Sequence, residues 1–143
     1  MVAITRELVV RFAEEPSWTA RAKIVERVAT RYVENALGIN ERLAALDLLR
    51  LAVYDGEPVV RRVVAETVKL ARDLPRDIVR ALAQDIPEVS VPFLAVSSLL
   101  GEADLLSIAK IGTAAQRAAI ACRPRLSPRV ANVVLGHRRP AVA

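Results

Sequence analysis

A chain of 143 residues, 53% of them hydrophobic and 26% charged, is long enough to bury the core of one domain without help from a metal or a disulfide. Aromatics make up only 3%, so that core must be built from Val, Ala and Leu. The single cysteine, Cys122, excludes an intramolecular disulfide and fits a reducing compartment. The formal charge of +5 conceals an asymmetry. All 16 acidic residues lie at or before Asp104, after which come Lys110, Arg117, Arg123, Arg125, Arg129, Arg138 and Arg139 with no acid among them.

Read in chain order, residues 2–15 predict a first helix with Ile4, Leu8 and Phe12 on one stripe and a Glu7–Arg11 pair one turn apart. Arg6, Glu7 and Arg11 interrupt what would be the apolar core of a signal peptide. Pro16 breaks the helix, and Ser17 is placed to cap a second one reaching about Leu37, with Ile24, Val25, Val28, Ala29 and Tyr32 inward and Gly38 as its stop. Trp18, just after the cap, is expected to cover the end of the core, with an interface anchor as the sharper alternative. Asn40 is expected to cap a third helix to about Tyr54, turning Leu43, Leu46, Leu49 and Val53 inward.

From Asp55 onward each helix is short and halted by Pro or Gly. Pro58 is preset for the first turn of a fourth helix to about Arg72, burying Val60, Val63, Val64 and Leu70. Further helices are expected over residues 75–84, 87–100, 102–111, 113–122 and 128–135, with residues 138–143 frayed. The period is that of helices throughout, and no alternation lasts long enough to build a sheet. The uncharged run 89–101 contains Pro92 and is too short to span a bilayer, so the expectation is a cytoplasmic protein without a membrane span. Stops spaced by one helix length describe an all-α fold of stacked helical hairpins, eight or nine helices in a single domain over residues 1–143. Three longer helices would fill residues 1–54 and shorter ones residues 55–137.

Two stretches carry a resemblance. Asp55-Gly56-Glu57-Pro58-Val59-Val60-Arg61, followed by Val64 and Ala65, resembles the second helix of a HEAT-type repeat. In such repeats a turn acid precedes Val-Arg, and small residues one turn later pack on the neighbouring repeat. Leu82-Ala83-Gln84-Asp85, Val91-Pro92-Phe93-Leu94, Ser97, Asp104-Leu105-Leu106 and Ala119-Ile120-Ala121-Cys122-Arg123 with Leu126-Ser127 resemble a bacterial domain family of unknown function. Its members are predicted to be HEAT-like repeats, and they are often longer than this chain. The resemblance spans about residues 55–135 and implies an α-solenoid fragment, with no activity, cofactor or catalytic residue attached. A missing C-terminal portion is a further expectation from the family's length.

Chemistry-bearing residues are sparse. Cys122 sits among Ala and Ile and reads as a small core hydrophobe rather than a reactive thiol. His137, the one histidine, has neither a nucleophile motif nor metal co-ligands beside it. Asp73, Asp77, Asp85, Glu102 and Asp104 fall at helix starts, where capping and dipole interactions account for them better than general acid–base chemistry. With five glycines and no phosphate-loop, paired-cysteine or zinc-protease pattern, neither a metal nor a cofactor is expected. The sharpest candidate is an anion- or partner-binding set of Arg117, Arg123, Arg125 and Arg129 around the break before Pro128, where Ser127 is expected to cap the last helix. Its alternative is solubilising charge or pairing with acids on a neighbouring helix.

The resulting expectation is a non-enzymatic module that binds another protein on a surface curved by its Val/Ala/Leu stack. Homodimerisation through exposed end faces is the secondary expectation. Nucleic-acid binding through the basic C-terminal third is the alternative, weakened because residues 105–143 contain no Phe, Tyr or Trp on which bases could stack. A base-excising glycosylase, a chemistry known on HEAT-like folds, ranks last, since a base-gripping pocket needs aromatics that this chain lacks.

Overall fold

Hydroxyls placed just ahead of apolar-periodic segments start several of the helices. Thr5 Oγ1 accepts from the Leu8 amide, Ser17 Oγ from Ala20, Thr113 Oγ1 from Gln116 and Ser127 Oγ from Val130. Proline opens others: Pro58 and Pro87 occupy first-turn positions, where no amide hydrogen is needed. In this computed structural model, which describes residues 3–136, the outcome is nine helices among the described residues and no strand. They are α1 (Arg6–Glu14), α2 (Trp18–Val33), α3 (Ile39–Ala52), α4 (Pro58–Val68), α5 (Arg76–Ala83), α6 (Pro87–Val96), α7 (Glu102–Ile111), α8 (Ala114–Ala121) and α9 (Pro128–Gly136). None of them is long and apolar enough to cross a membrane.

The helices pack in two rows, consistent with a helical repeat, the odd row being weakest between α5 and α7. In one row α2 packs on α4, α4 on α6 and α6 on α8. In the other, α1 packs on α3, α3 on α5 and α7 on α9. Antiparallel neighbours such as α5 and α6, or α7 and α8, join the rows as hairpins. The core runs between the rows and is aliphatic as the composition dictates. Val25, Val28, Leu48, Leu49, Val60, Val64, Val68, Ile78, Leu82, Leu94 and Ile120 are all fully buried, with Phe93 as the largest side chain among them.

Several boundaries and faces differ from the sequence reading, each for a local reason. Ile4 is buried, but as extended chain before α1: its amide donates to Glu41 Oε2 at 3.0 Å, and α1 begins only after the Thr5 cap. Helix α2 ends at Val33 rather than Leu37 because Asn35 turns left-handed (φ 56°), a conformation Asn tolerates better than most residues. Gly38 therefore caps the start of α3 instead of the end of α2, and Asn40 lies inside the helix it was expected to cap. In α3 the buried stripe is Ala45, Leu48, Leu49 and Ala52, leaving Leu43 exposed. After α4, Leu70 is exposed beyond the helix's early end, and Val63 is only half-buried.

Candidate functional site

The turns that connect the odd row to the even row are tied together by a repeated arginine device. The fourth residue of an even-row helix lies one turn above the connection that precedes it. A long side chain there reaches that turn's orphan carbonyls and also the next turn along the stack. Arg21, fourth in α2, donates from Nη1 to the Glu15 and Pro16 carbonyls at 2.9 and 3.2 Å. Its Nε and Nη2 grip Asp55 of the next turn at 2.8 and 3.1 Å. Arg61, fourth in α4, repeats the arrangement, with Nη1 to the Asp55 carbonyl at 2.7 Å and a two-pronged grip on Asp85 at 2.8 and 3.2 Å. These are planar fork-on-carboxylate pairs that lysine could not make. The bonds to Asp55 and Asp85 raise both guanidinium groups above their ordinary value, against the opposing effect of burial.

The third rung uses different residues. Ser90 occupies the fourth position of α6, and Gln116 of α8 reaches back in place of an arginine. Its Nε2 donates to the Asp85 carbonyl at 3.1 Å and to Ser90 Oγ at 2.9 Å, while its Oε1 accepts from the Thr113 amide at 2.8 Å. Arg117, fourth in α8, donates from Nη1 to the Gly112 carbonyl, the near half of the device. Turns from Glu15 to Gly112 are thus strung along one edge.

That edge exposes large apolar side chains at each turn: Trp18 is 43% exposed, Tyr54 74%, Val59 43%, Ile86 43% and Ile111 82%. Between the second and third turns opens a groove of about 600 Å³, lined by Tyr54, Arg61, Asp77, Arg80, Gln84 and Asp85. Asp77 pairs with Arg50 at 2.8 Å, which holds its carboxyl below the usual carboxylate range. A carboxyl so held is no proton donor at neutral pH, and Asp85 is committed to Arg61 and to the Ile86 amide. The groove can therefore offer paired charge, an amide and an aromatic face. Among the described residues no group of three or more His, Cys, Asp or Glu is gathered to hold a metal ion.

The four candidate arginines occupy four different settings. Arg123 is half-buried and donates from Nη1 and Nη2 to the Leu94 and Ser97 carbonyls, both at 2.7 Å, closing the end of α6; burial lowers its pKa. Arg117 lies over the Gly112 turn, and exposed Arg129 pairs with Glu102 at 3.2 Å. Arg125 is exposed in the loop before α9. Cys122 is also exposed, because α8 ends at Ala121 and the thiol sits on the solvent side of the cap, which corrects the expectation of core packing. His137 and the tail after it lie outside the described residues. Sequence reasoning placed Asp55 and Arg61 in a repeat motif but did not connect them, and it missed Arg21, Gln116 and the apolar edge. The available signal was an arginine at the fourth position of three of the four even-row helices, Arg21 in α2, Arg61 in α4 and Arg117 in α8.

Residues 89–143 match the model of a family described as an uncharacterised protein conserved in bacteria (DUF2336). The matched segment is under half of the chain, and within the described residues it runs from α6 to α9, including Gln116, Arg117 and Arg123. No curated protein and no solved structure matches the chain.

Proposed function

We propose that the chain is a non-catalytic helical-repeat module that binds another protein along the edge carrying Trp18, Tyr54, Val59, Ile86 and Ile111. The supporting observation is the exposure of these five side chains at or beside the connecting turns, the first three of which the Arg21–Asp55 and Arg61–Asp85 pairs tie together. Large apolar and aromatic groups presented on a rigid frame bind with little ordering cost, and Trp and Tyr are the residues that dominate such interfaces. The test is site-specific photo-cross-linking in a bacterial host, with the photo-reactive residue at Ile86 or Ile111 and a control at Glu26 on the outer face of α2. One protein partner is expected at both edge positions, lost with Tyr54→Asp and absent at Glu26. Cross-links equally strong at Glu26, or none at the edge, would remove the proposal.

Nucleic-acid binding is the weaker reading. It is supported by the absence of acids after Asp104, but Arg117 and Arg123 spend hydrogen bonds on backbone carbonyls and Arg129 on Glu102. Fewer cations are then left to face a phosphate backbone, and binding would show a shallow salt dependence.

A further inference from the structure

We infer that the gap between α5 and α7, beside Arg80, takes an acidic residue and an adjoining large apolar side chain from the protein that binds the edge. This rests on the edge-binding reading and names what the partner presents there. The odd row repeats a short pattern. Asp47-Leu48-Leu49-Arg50 leads to the turn at Asp55, Asp77-Ile78-Val79-Arg80 to the turn at Asp85, and Asp104-Leu105-Leu106-Ser107 to the turn at Gly112, with the same spacing from opening acid to turn. The arginine of the first copy crosses to the acid that opens the second: Arg50 Nε donates to Asp77 Oδ2 at 2.8 Å. In that register Arg80 would cross to Asp104. Arg76, one turn earlier on α5, holds both Asp104 oxygens instead, at 2.7 and 3.2 Å, and the Gly101 amide donates to Oδ2 at 2.9 Å. Arg80 is exposed, and among the described residues its side chain has no hydrogen-bond or ion-pair partner.

The unfilled rung stands beside an opening. Helices α5 and α7 make the weakest contact between neighbours in the odd row, and a cavity of about 210 Å³ lies between them. Val79, Ala83, Leu100 and Ile108 line it and are themselves buried, so its floor is apolar. Arg80, Gln84 and Ser107 line it too and are exposed. The walls are consecutive odd-row helices, so the opening lies inside the stack and does not depend on what adjoins either end. A carboxylate is the ligand that Arg21, Arg50, Arg61 and Arg76 each take from a neighbouring element. The acids lining the grooves on either side of α5 are already held: Asp77 by Arg50, Asp85 by Arg61 and Asp104 by Arg76. A phosphate chain laid across α5 would meet those three carboxylates for one free cation, whereas a single side-chain carboxylate needs only Arg80. An apolar neighbour of that carboxylate enters the cavity and removes its floor from water. Gln84 also lines the groove beside Tyr54, which makes the site continuous with the apolar edge.

The full chain carrying a photo-reactive residue at Gln84 is irradiated in a bacterial host, and the cross-linked segment is mapped by mass spectrometry. The expected product belongs to the same protein that is captured at Ile86 and contains an Asp or Glu beside a large apolar residue. Arg80→Glu should lower its recovery at least about tenfold, and reversing the partner's acid to Lys should restore it. Arg80→Gln should also lower recovery while the urea midpoint stays at the wild-type value, which a merely structural arginine would not allow. Ser107→Trp, filling the cavity from an exposed position, should block capture with native circular dichroism, which covers the case that Arg80→Glu fails to fold. If the partner is captured at Ile86 but Gln84 yields no acidic segment, or one indifferent to Arg80→Glu, this inference is overturned and edge binding stands. No capture at either position would overturn both. Cross-links from Gln84 only to a second copy, to nucleic acid or to another part of the same chain would also overturn it.

Discussion

Arg61 grips Asp85 across 24 positions of the chain with two bonds, at 2.8 and 3.2 Å, while its third donor closes the turn that precedes its own helix. Both side chains are largely shielded, at 17% and 11% exposed. One residue thus satisfies a carbonyl within a hairpin and fixes that hairpin to the next, so local capping and repeat stacking share a single part. Arg61→Ala leaves both Asp85 and the Asp55 carbonyl short of a donor. We expect a loss of about 1–3 kcal/mol, the range for charged hydrogen bonds reduced by residual solvent access, read as a lower urea midpoint at unchanged slope. Arg61→Lys should recover only part of it, because an ammonium cannot make the planar fork.

The α3 helix separates what periodicity could show from what it could not. Leu43, Leu46, Leu49 and Val53 form a plausible stripe, yet α3 is apolar on more than one face, and packing against both α1 and α2 selects Ala45, Leu48, Leu49 and Ala52. Element type and number were legible because Pro, Gly and hydroxyl caps punctuate the chain. The buried face of α3 was not, because it depends on which neighbours arrive. Leu48→Ala should cost about 2–5 kcal/mol through a cavity at a fully buried site, and Leu43→Ala, at 55% exposed, within about 0.5 kcal/mol. Equal costs in a denaturation series would contradict the assigned face.

Gly112 is the turn where a side chain has no room. A Cβ there would stand 2.5 Å from the Ile108 carbonyl oxygen and 2.8 Å from Gln116 Oε1, the atom that caps the Thr113 amide. The first of these is backbone and cannot swing aside. Gly112→Ala is expected to destabilise by about 1–3 kcal/mol, as overpacking does. Gly56→Ala, with nothing within 4 Å of its added methyl, should not. Thermal melts of the two variants side by side distinguish this tight approach from a general intolerance of turn substitutions.

Two carboxylates held by arginines contribute to acid sensitivity. Arg50 holds Asp77, and Arg76 holds Asp104, below the ordinary carboxylate value; for Asp104 the Gly101 amide adds to the effect. A carboxyl whose folded pKa is depressed stabilises the fold above its unfolded value of about 3.9 and loses that contribution as pH falls through the folded value. Stability should therefore be insensitive to these groups between about pH 5 and 8, where both are ionised in either state, and should decline below about pH 4. Arg76→Gln together with Arg50→Gln should flatten that decline, seen by comparing urea midpoints at neutral pH and near pH 3. A decline unchanged by the double variant would assign acid sensitivity to other carboxylates.

Charge counting read the C-terminal arginines as one group, and the fold divides them, because donor geometry rather than net charge decides what each does. Arg123 donates to the Leu94 and Ser97 carbonyls at the end of α6, in a helix that contains Pro92 and stops at Val96. Arg125, two residues on, is exposed. No sequence signal marks the difference, since it arises only when α8 docks on α6 and brings Arg123 over those carbonyls. Arg123→Ala is expected to cost about 1–3 kcal/mol by stranding two partly buried acceptors, and Arg125→Ala to fall within about 0.5 kcal/mol. Polyanion binding provides the opposite readout. If the basic end grips phosphates, Arg125→Ala should lower the salt slope of heparin or duplex retention by about one, and Arg123→Ala should leave it unchanged at temperatures where the variant stays folded. A slope that responds to Arg123 and ignores Arg125 would mean that the Arg123 guanidinium leaves the end of α6 to reach the ligand.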